Sequence, residues 1–172
     1  VRDEIEEKGF DSKRGTYTQY YGSTGVDAAL LHLAQIGYLE HDDPRMLGTV
    51  AAIEDELLHN GLLLRYRTER GVDGLPPGEH PFLACSFWLV EQYALSGRLA
   101  DAQELMNRLV GFGNDVGLFS EEYDTEQGRQ VGNTPQALTH LALVRACGAI
   151  QYAAGEKDRE ELATVSRRGK HR

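Results

Sequence analysis

Basic residues are scarce in this chain of 172 residues: 18 Lys and Arg stand against 27 Asp and Glu, for a net charge of −9. Nucleic acid and anionic membrane surfaces select a basic face, so neither is expected as a partner. Cysteine is almost absent. Cys85 and Cys147 lie far apart, without neighbours at metal-ligand spacing, so no bound metal is expected. Both read as small buried residues in a reducing cytoplasm, a single disulfide being the other arrangement open to them. No apolar run approaches the roughly 18 residues that cross a bilayer, and Val1-Arg2-Asp3-Glu4 lacks the apolar centre of a signal peptide. The first residue is not methionine, which suggests a processed chain or a fragment. Gly22-Ser23-Thr24-Gly25 lacks the lysine of a phosphate-binding loop.

What is present fits a globular domain with a sizeable core: 41% of the residues are hydrophobic and 26% charged. Arg2 to Lys8 reads as the end of a polar helix stopped by Gly9, and Phe10 to Tyr21 as loop or short strand. Val26 to Ile36 is apolar around most of its circumference, the mark of a helix with neighbours on several sides. Pro44 to about His59 is amphipathic, with Met46, Leu47, Val50, Ile53, Leu57 and Leu58 on one face. The same pair recurs: Phe82 to Leu95 is apolar nearly all round, and Leu99 to Val110 is amphipathic. A third mostly apolar helix runs from Pro135 to about Ala153, entered through Gly132-Asn133-Thr134-Pro135, with Asn133 or Thr134 as its cap. Between Tyr66 and Pro81, residues Gly71 to Gly78 form a turn-rich loop. Residues 1–155 make one unit, and 156–172 form a polar, basic tail carrying a short helix at most.

Apolar helices starting near residues 26, 82 and 134 repeat at 56 and then 52 residues. Such a period predicts an all-α chain of helical hairpins, with apolar helices in an inner ring and amphipathic ones outside. The loops Tyr17 to Gly25, Gly71 to Pro81 and Leu118 to Asn133 each enter an inner helix, so they should meet at one end. Helix N-termini at that end direct free amide groups toward whatever binds there.

The stretch Leu118-Phe119-Ser120-Glu121-Glu122-Tyr123-Asp124 sets three carboxylates in one of these loops. They are either solvated surface charges or candidate acid–base groups. Glu79 precedes an inner helix and is either a hydrogen-bond acceptor for a ligand or an acid favoured by the helix dipole. Tyr17, Tyr20 and Tyr21 are aromatic enough to stack on a ligand ring or to serve as packing. Trp88, the only tryptophan, reads as core, and His32 and His140 as satisfied buried histidines.

Four segments in order resemble family 15 glycoside hydrolases, the glucoamylase and trehalase-like enzymes. They are Tyr20-Tyr21-Gly22-Ser23 leading into Val26-Asp27-Ala28-Ala29-Leu30-Leu31, Gly78 to Glu91, Leu118 to Asp124, and Gly132 to Leu141. The resemblance covers about Arg14 to Ile150 and implies roughly half of an (α/α)6 barrel, or toroid. It places Glu121 at the general base of an inverting, exo-acting α-glucoside hydrolase, with Glu122 in support. Glu79, Tyr17, Tyr20 and Glu122 then become substrate-binding candidates for a maltooligosaccharide or trehalose, with no cofactor and no metal. The family's general acid lies in an upstream Trp-Glu motif, whereas Trp88 is followed by Leu89. The resemblance thus implies a C-terminal part that is inactive alone, whose exposed inner faces are covered by the missing N-terminal half or by another copy. The rival reading is a non-catalytic scaffold of helical hairpins that binds proteins.

Overall fold

The structure, a computed structural model, describes residues 1–68, 74 and 78–169. Its elements in chain order are α1 (Arg2–Lys8), β1 (Phe10–Asp11), β2 (Thr16–Tyr17), a 3-10 turn (Ala28–Leu31) that runs into α2 (His32–Gln35), and α3 (Pro44–Leu57). Then follow β3 (Leu58–His59), β4 (Leu62–Leu63), α4 (Leu83–Leu95), α5 (Leu99–Val110), β5 (Glu122–Asp124), β6 (Arg129–Val131) and α6 (Ala137–Gly169). The fold is helical, and consecutive strands pair as short antiparallel hairpins. The loop expected over Gly71–Gly78 lies outside the described residues apart from Gly74 and Gly78, as does the tail at 170–172.

Helix α4 is the centre of the core. Leu83, Ala84, Phe87, Leu89, Val90 and Ala94 are all buried, as its nearly unbroken apolar sequence requires. It packs against α5, α6 and the 3-10 turn, while α3 packs on that turn and on β2. Its buried polar residues all have partners, because an unpaired one would cost about 1–3 kcal/mol. Ser86 Oγ accepts from the Leu63 N–H at 2.9 Å, and the Gln92 side-chain amide donates to the His41 carbonyl at 2.9 Å. Glu91 takes a two-pronged bond from Arg145 at 3.0 and 2.6 Å and a third from Gln35 at 3.1 Å, which ties α4 to α6 and α2.

Several sequence expectations need correcting. The first apolar helix is shorter than Val26 to Ile36: the Gly25 carbonyl is bonded to Gln19, the Ala28 N–H to Arg65, and Asp27 between them is extended, so winding starts only at Ala28, with Asp27 capping the Ala29 N–H. Helix α3 stops at Leu57 rather than His59, because Asn60 and Gly61, with φ of 50° and 73°, turn the chain into the β3–β4 hairpin. Leu47 and Leu58, expected on the apolar face, are exposed. Helix α6 begins at Ala137, so neither Asn133 nor Thr134 caps it, and it continues past Ala153 to Gly169. Cys147 is exposed rather than buried, and both thiols are free.

On α6 the apolar residues divide. Ala142, Ala146 and Ala149 are buried, whereas Leu138, Leu141 and Val144 are 49%, 63% and 69% exposed. Three large apolar side chains on successive turns, each about half exposed or more, form an open apolar stripe. No helix among the described residues is long and apolar enough to cross a membrane.

Two glycines should respond oppositely to alanine. A Cβ on Gly48 in α3 would lie 2.1 Å from the Gly15 carbonyl oxygen, a backbone atom that cannot swing aside, whereas one on Gly148 in α6 meets nothing within 4 Å. Gly48→Ala is expected to destabilise the chain by about 1–3 kcal/mol. Gly148→Ala is expected to stabilise it by about 0.5–1 kcal/mol. Urea unfolding midpoints of the two variants check both signs.

Candidate active site

Successive helix entries are stitched side by side by main-chain hydrogen bonds. Ala28 N–H donates to the Arg65 carbonyl at 2.8 Å, and Phe82 N–H to the Leu63 carbonyl at 3.1 Å. Leu83 N–H then reaches the Glu121 carbonyl at 3.0 Å, and Glu121 N–H the Asn133 carbonyl at 3.0 Å. Tyr123 N–H donates to the Pro81 carbonyl at 3.0 Å, completing a bridge between residues 82 and 122. The described parts of the second and third entry loops therefore meet as expected, while the first apolar segment is linked through Ala28, past the end of the Tyr17 to Gly25 loop, to Arg65.

The segment before Glu121 is anchored by packing and by α6. Phe119 is buried edge-on to Phe87 and His140, at ring separations of 5.8 and 5.6 Å. Its N–H donates to His140 Nε2 at 3.4 Å, and its carbonyl accepts from the Gln136 N–H at 2.9 Å. Thr139 Oγ1 donates to the Ser120 carbonyl at 3.0 Å. His140 Nδ1 lies 2.8 Å from the Gln136 carbonyl, so both ring nitrogens are engaged, as expected for a satisfied histidine. His32 is half-buried, bonded to Gln35 and against the half-buried Trp88 at 4.2 Å between ring centres.

The three carboxylates of this stretch have different surroundings. Asp124, 3% exposed, closes the β5–β6 turn: its Oδ1 accepts from the Glu126 and Gln127 N–H groups, each at 3.0 Å. The Gln127 N–H foremost, with that of Glu126, holds its carboxyl below the usual range against the opposing effect of burial. Glu122 is half-buried and accepts one bond at Oε2, from the His80 N–H at 3.1 Å. Burial pushes its carboxyl up, and the charges of Glu79 and Glu121 add to that rise. Glu121 is half-buried; its Oε2 accepts from the Asn133 N–H at 3.3 Å and from Asn133 Nδ2 at 3.1 Å. None of the three is a freely solvated charge.

The structure places the other candidates unevenly. Glu79 meets Arg65 at 2.5 Å through Oε1, while its Oε2 is buried with no hydrogen-bond partner among the described residues. Arg65 also covers the Tyr66 and Phe82 rings. Tyr20 is 55% exposed and available to a ligand. Tyr17 is not available and its assignment to substrate contact is corrected. It is 2% exposed, packs on Phe10 and Tyr38, and donates its hydroxyl to Glu6 Oε2 at 2.9 Å, because its strand turns inward onto α3. Sequence reasoning missed Asn133 and Gly132 by treating them as helix entry, and His80 and Arg65 because nothing in their spacing ties them to Glu122 or Glu79. Among the described residues no three His, Cys, Asp or Glu side chains group to hold a metal ion.

Comparison with known proteins gives a consistent set of likenesses. The model of the family described as glycosyl hydrolases family 15 matches residues 1–148. A trehalase of Mycobacterium tuberculosis is 44% identical over 158 residues, covering 92% of this chain and 23% of that protein. A trehalase of Thermoplasma volcanium is 41% identical over 154 residues, covering 89% of this chain and 24% of that protein. The chain thus spans about a quarter of the length of these relatives. Among solved structures, a wild-type glycosidase and a variant of it in complex with glucose each superpose with a TM-score of 0.75 at 18% identity, over 87% of this chain and 42% of theirs, a likeness of fold.

The raised Glu122 carboxyl fixes the sign of a pH effect. A carboxyl that titrates higher folded than unfolded binds more protons in the native state, so its burial penalty is absent below the ordinary glutamate range and complete above the folded pKa. Glu122→Gln keeps the acceptor for the His80 N–H and removes the charge. Its stability relative to the parent should rise as pH increases through that window and vanish at lower pH. Unfolding midpoints across a pH series check this; a gain independent of pH would contradict the burial assignment.

Proposed function

From the premise that the chain belongs to glycosyl hydrolase family 15, we propose that it is the C-terminal part of an inverting, exo-acting α-glucoside hydrolase in which Glu121 is the general base. The observation that carries this reading is the position of Glu121: a half-buried carboxylate with one oxygen held by Asn133, where helix entries meet. The identity with trehalases supports trehalose as substrate ahead of a maltooligosaccharide.

In an inverting hydrolysis a carboxylic acid protonates the glycosidic oxygen while a carboxylate roughly 6.5–9.5 Å away activates water on the opposite face of the sugar. Here the water proton passes to Glu121, the water oxygen bonds the anomeric carbon, and that carbon's bond to the leaving oxygen breaks. The leaving oxygen takes its proton from an acid on sequence outside this chain. Solvent then returns the proton from base to acid.

Glu79, held by Arg65 through Oε1 beside the entry of α4, is a candidate acceptor for a sugar hydroxyl. Tyr20 offers an exposed side chain, and Glu122, bonded to the His80 N–H, supports the site while donating no catalytic proton. The reaction needs no cofactor. The free thiols support a cytoplasmic setting, and the open stripe on α6 supports burial against the rest of the protein or another copy. A protein-binding scaffold would account for the helices but gives no reason for a carboxylate oriented by two N–H groups.

Glu121→Gln in the complete protein is expected to lower trehalose hydrolysis by about 10²–10⁴-fold at unchanged fold. Activity within a few-fold of the parent would overturn the assignment. The 172-residue chain alone is expected to release no glucose from trehalose, and steady turnover by it would show that the acid lies within these residues.

A further inference from the structure

The reading of Glu121 as base leaves open how a flexible side chain with three rotatable bonds is aimed. The contacts on its two oxygens are unequal. Oε2 accepts from the backbone N–H and from the side-chain amide of Asn133, whereas Oε1 accepts no hydrogen bond among the described residues. The backbone of the same pair is locked as well, since Glu121 N–H donates to the Asn133 carbonyl at 3.0 Å while the Glu121 carbonyl accepts from Leu83.

Residue 132 makes this approach possible. Gly132 has φ of +76°, and a Cβ there would lie 3.0 Å from Glu121 Oε2 and 3.1 Å from Glu121 Cβ. Glycine is therefore required both for the turn and for the room into which the carboxylate settles. Asn133 has no competing task as a helix cap, because α6 starts four residues later at Ala137.

We propose that Gly132 and Asn133 form a clasp that positions the general base, committing Oε2 of Glu121 to the protein and reserving Oε1 for the water proton. Asn133 is a positioning residue, acting through Glu121 rather than on the sugar. The idea rests on Glu121 being the base and adds which oxygen reacts and what aims it. A carboxylate released from the clasp samples other rotamers, and misplacement of a reacting group by about 1 Å can cost about 10²-fold in rate.

The test is a double-mutant cycle on trehalose hydrolysis by the complete protein, with thermal unfolding recorded for each variant. Asn133→Ala is expected to reduce kcat by about 10- to 100-fold and to leave KM within about two-fold, since the lost interaction serves the transition state. Added to Glu121→Gln, the same change should cost nothing further. Asn133→Asp keeps the side-chain shape and the backbone N–H but replaces the donor with a carboxylate, and it should reduce kcat at least as much. Parental kcat in either Asn133 variant, or an equal loss with and without Glu121, would overturn the clasp while the base assignment stands. An active Glu121→Gln would instead remove the base assignment and the clasp with it.

Discussion

The Leu83 N–H to Glu121 carbonyl bond, continued by Glu121 N–H to Asn133, is the constraint on which the candidate site depends. Each bond is ordinary in strength, but each joins segments distant in sequence and satisfies backbone groups that a loop over a packed helix could not leave unpaired. By linking the entry of α4 to the entry of α6 through Glu121, they convert separate loops into one strip. Phe119, buried against Phe87 and His140, supports that strip from the core.

Along this strip the environment sorts carboxylates of similar chemistry into distinct roles. Asp124 is given turn amides and held ionised, so it serves structure. Glu122 is half-buried with a single amide partner, and burial drives its carboxyl the other way. Glu121 directly precedes Glu122 in the chain yet is held by a side-chain amide from across the hairpin, with one oxygen uncommitted. Elsewhere Glu91 is buried but matched by Arg145 and Gln35, and its role is to join three helices.

The exposed stripe of Leu138, Leu141 and Val144 sits on the helix whose entry carries Asn133. A segment covering that stripe would pack on the helix whose first turn also holds the Phe119–Ser120 backbone ahead of Glu121, so that surface and the candidate site share one element. This accords with a chain that spans about a quarter of its trehalase relatives.

The sequence by itself determined the helical class, the alternation of buried and amphipathic helices, the identity of α4 as core, and the family to which the chain belongs. These properties follow from local composition and periodicity, or from motif order, and need no knowledge of distant contacts. It also singled out Glu121, through a motif rather than through any property of the residue. Tertiary structure decided the rest. Tyr17 turned inward because its strand faces α3, the first apolar helix shrank because Gln19 and Arg65 hold its start extended, and Cys147 and Val144 lie on a face that periodicity alone could not distinguish from a covered one. Most of all, only the folded chain brings Asn133 to Glu121 across twelve residues. Which carboxylate is aimed, and by what, is set by hydrogen bonds between separate segments, and no local pattern encodes them.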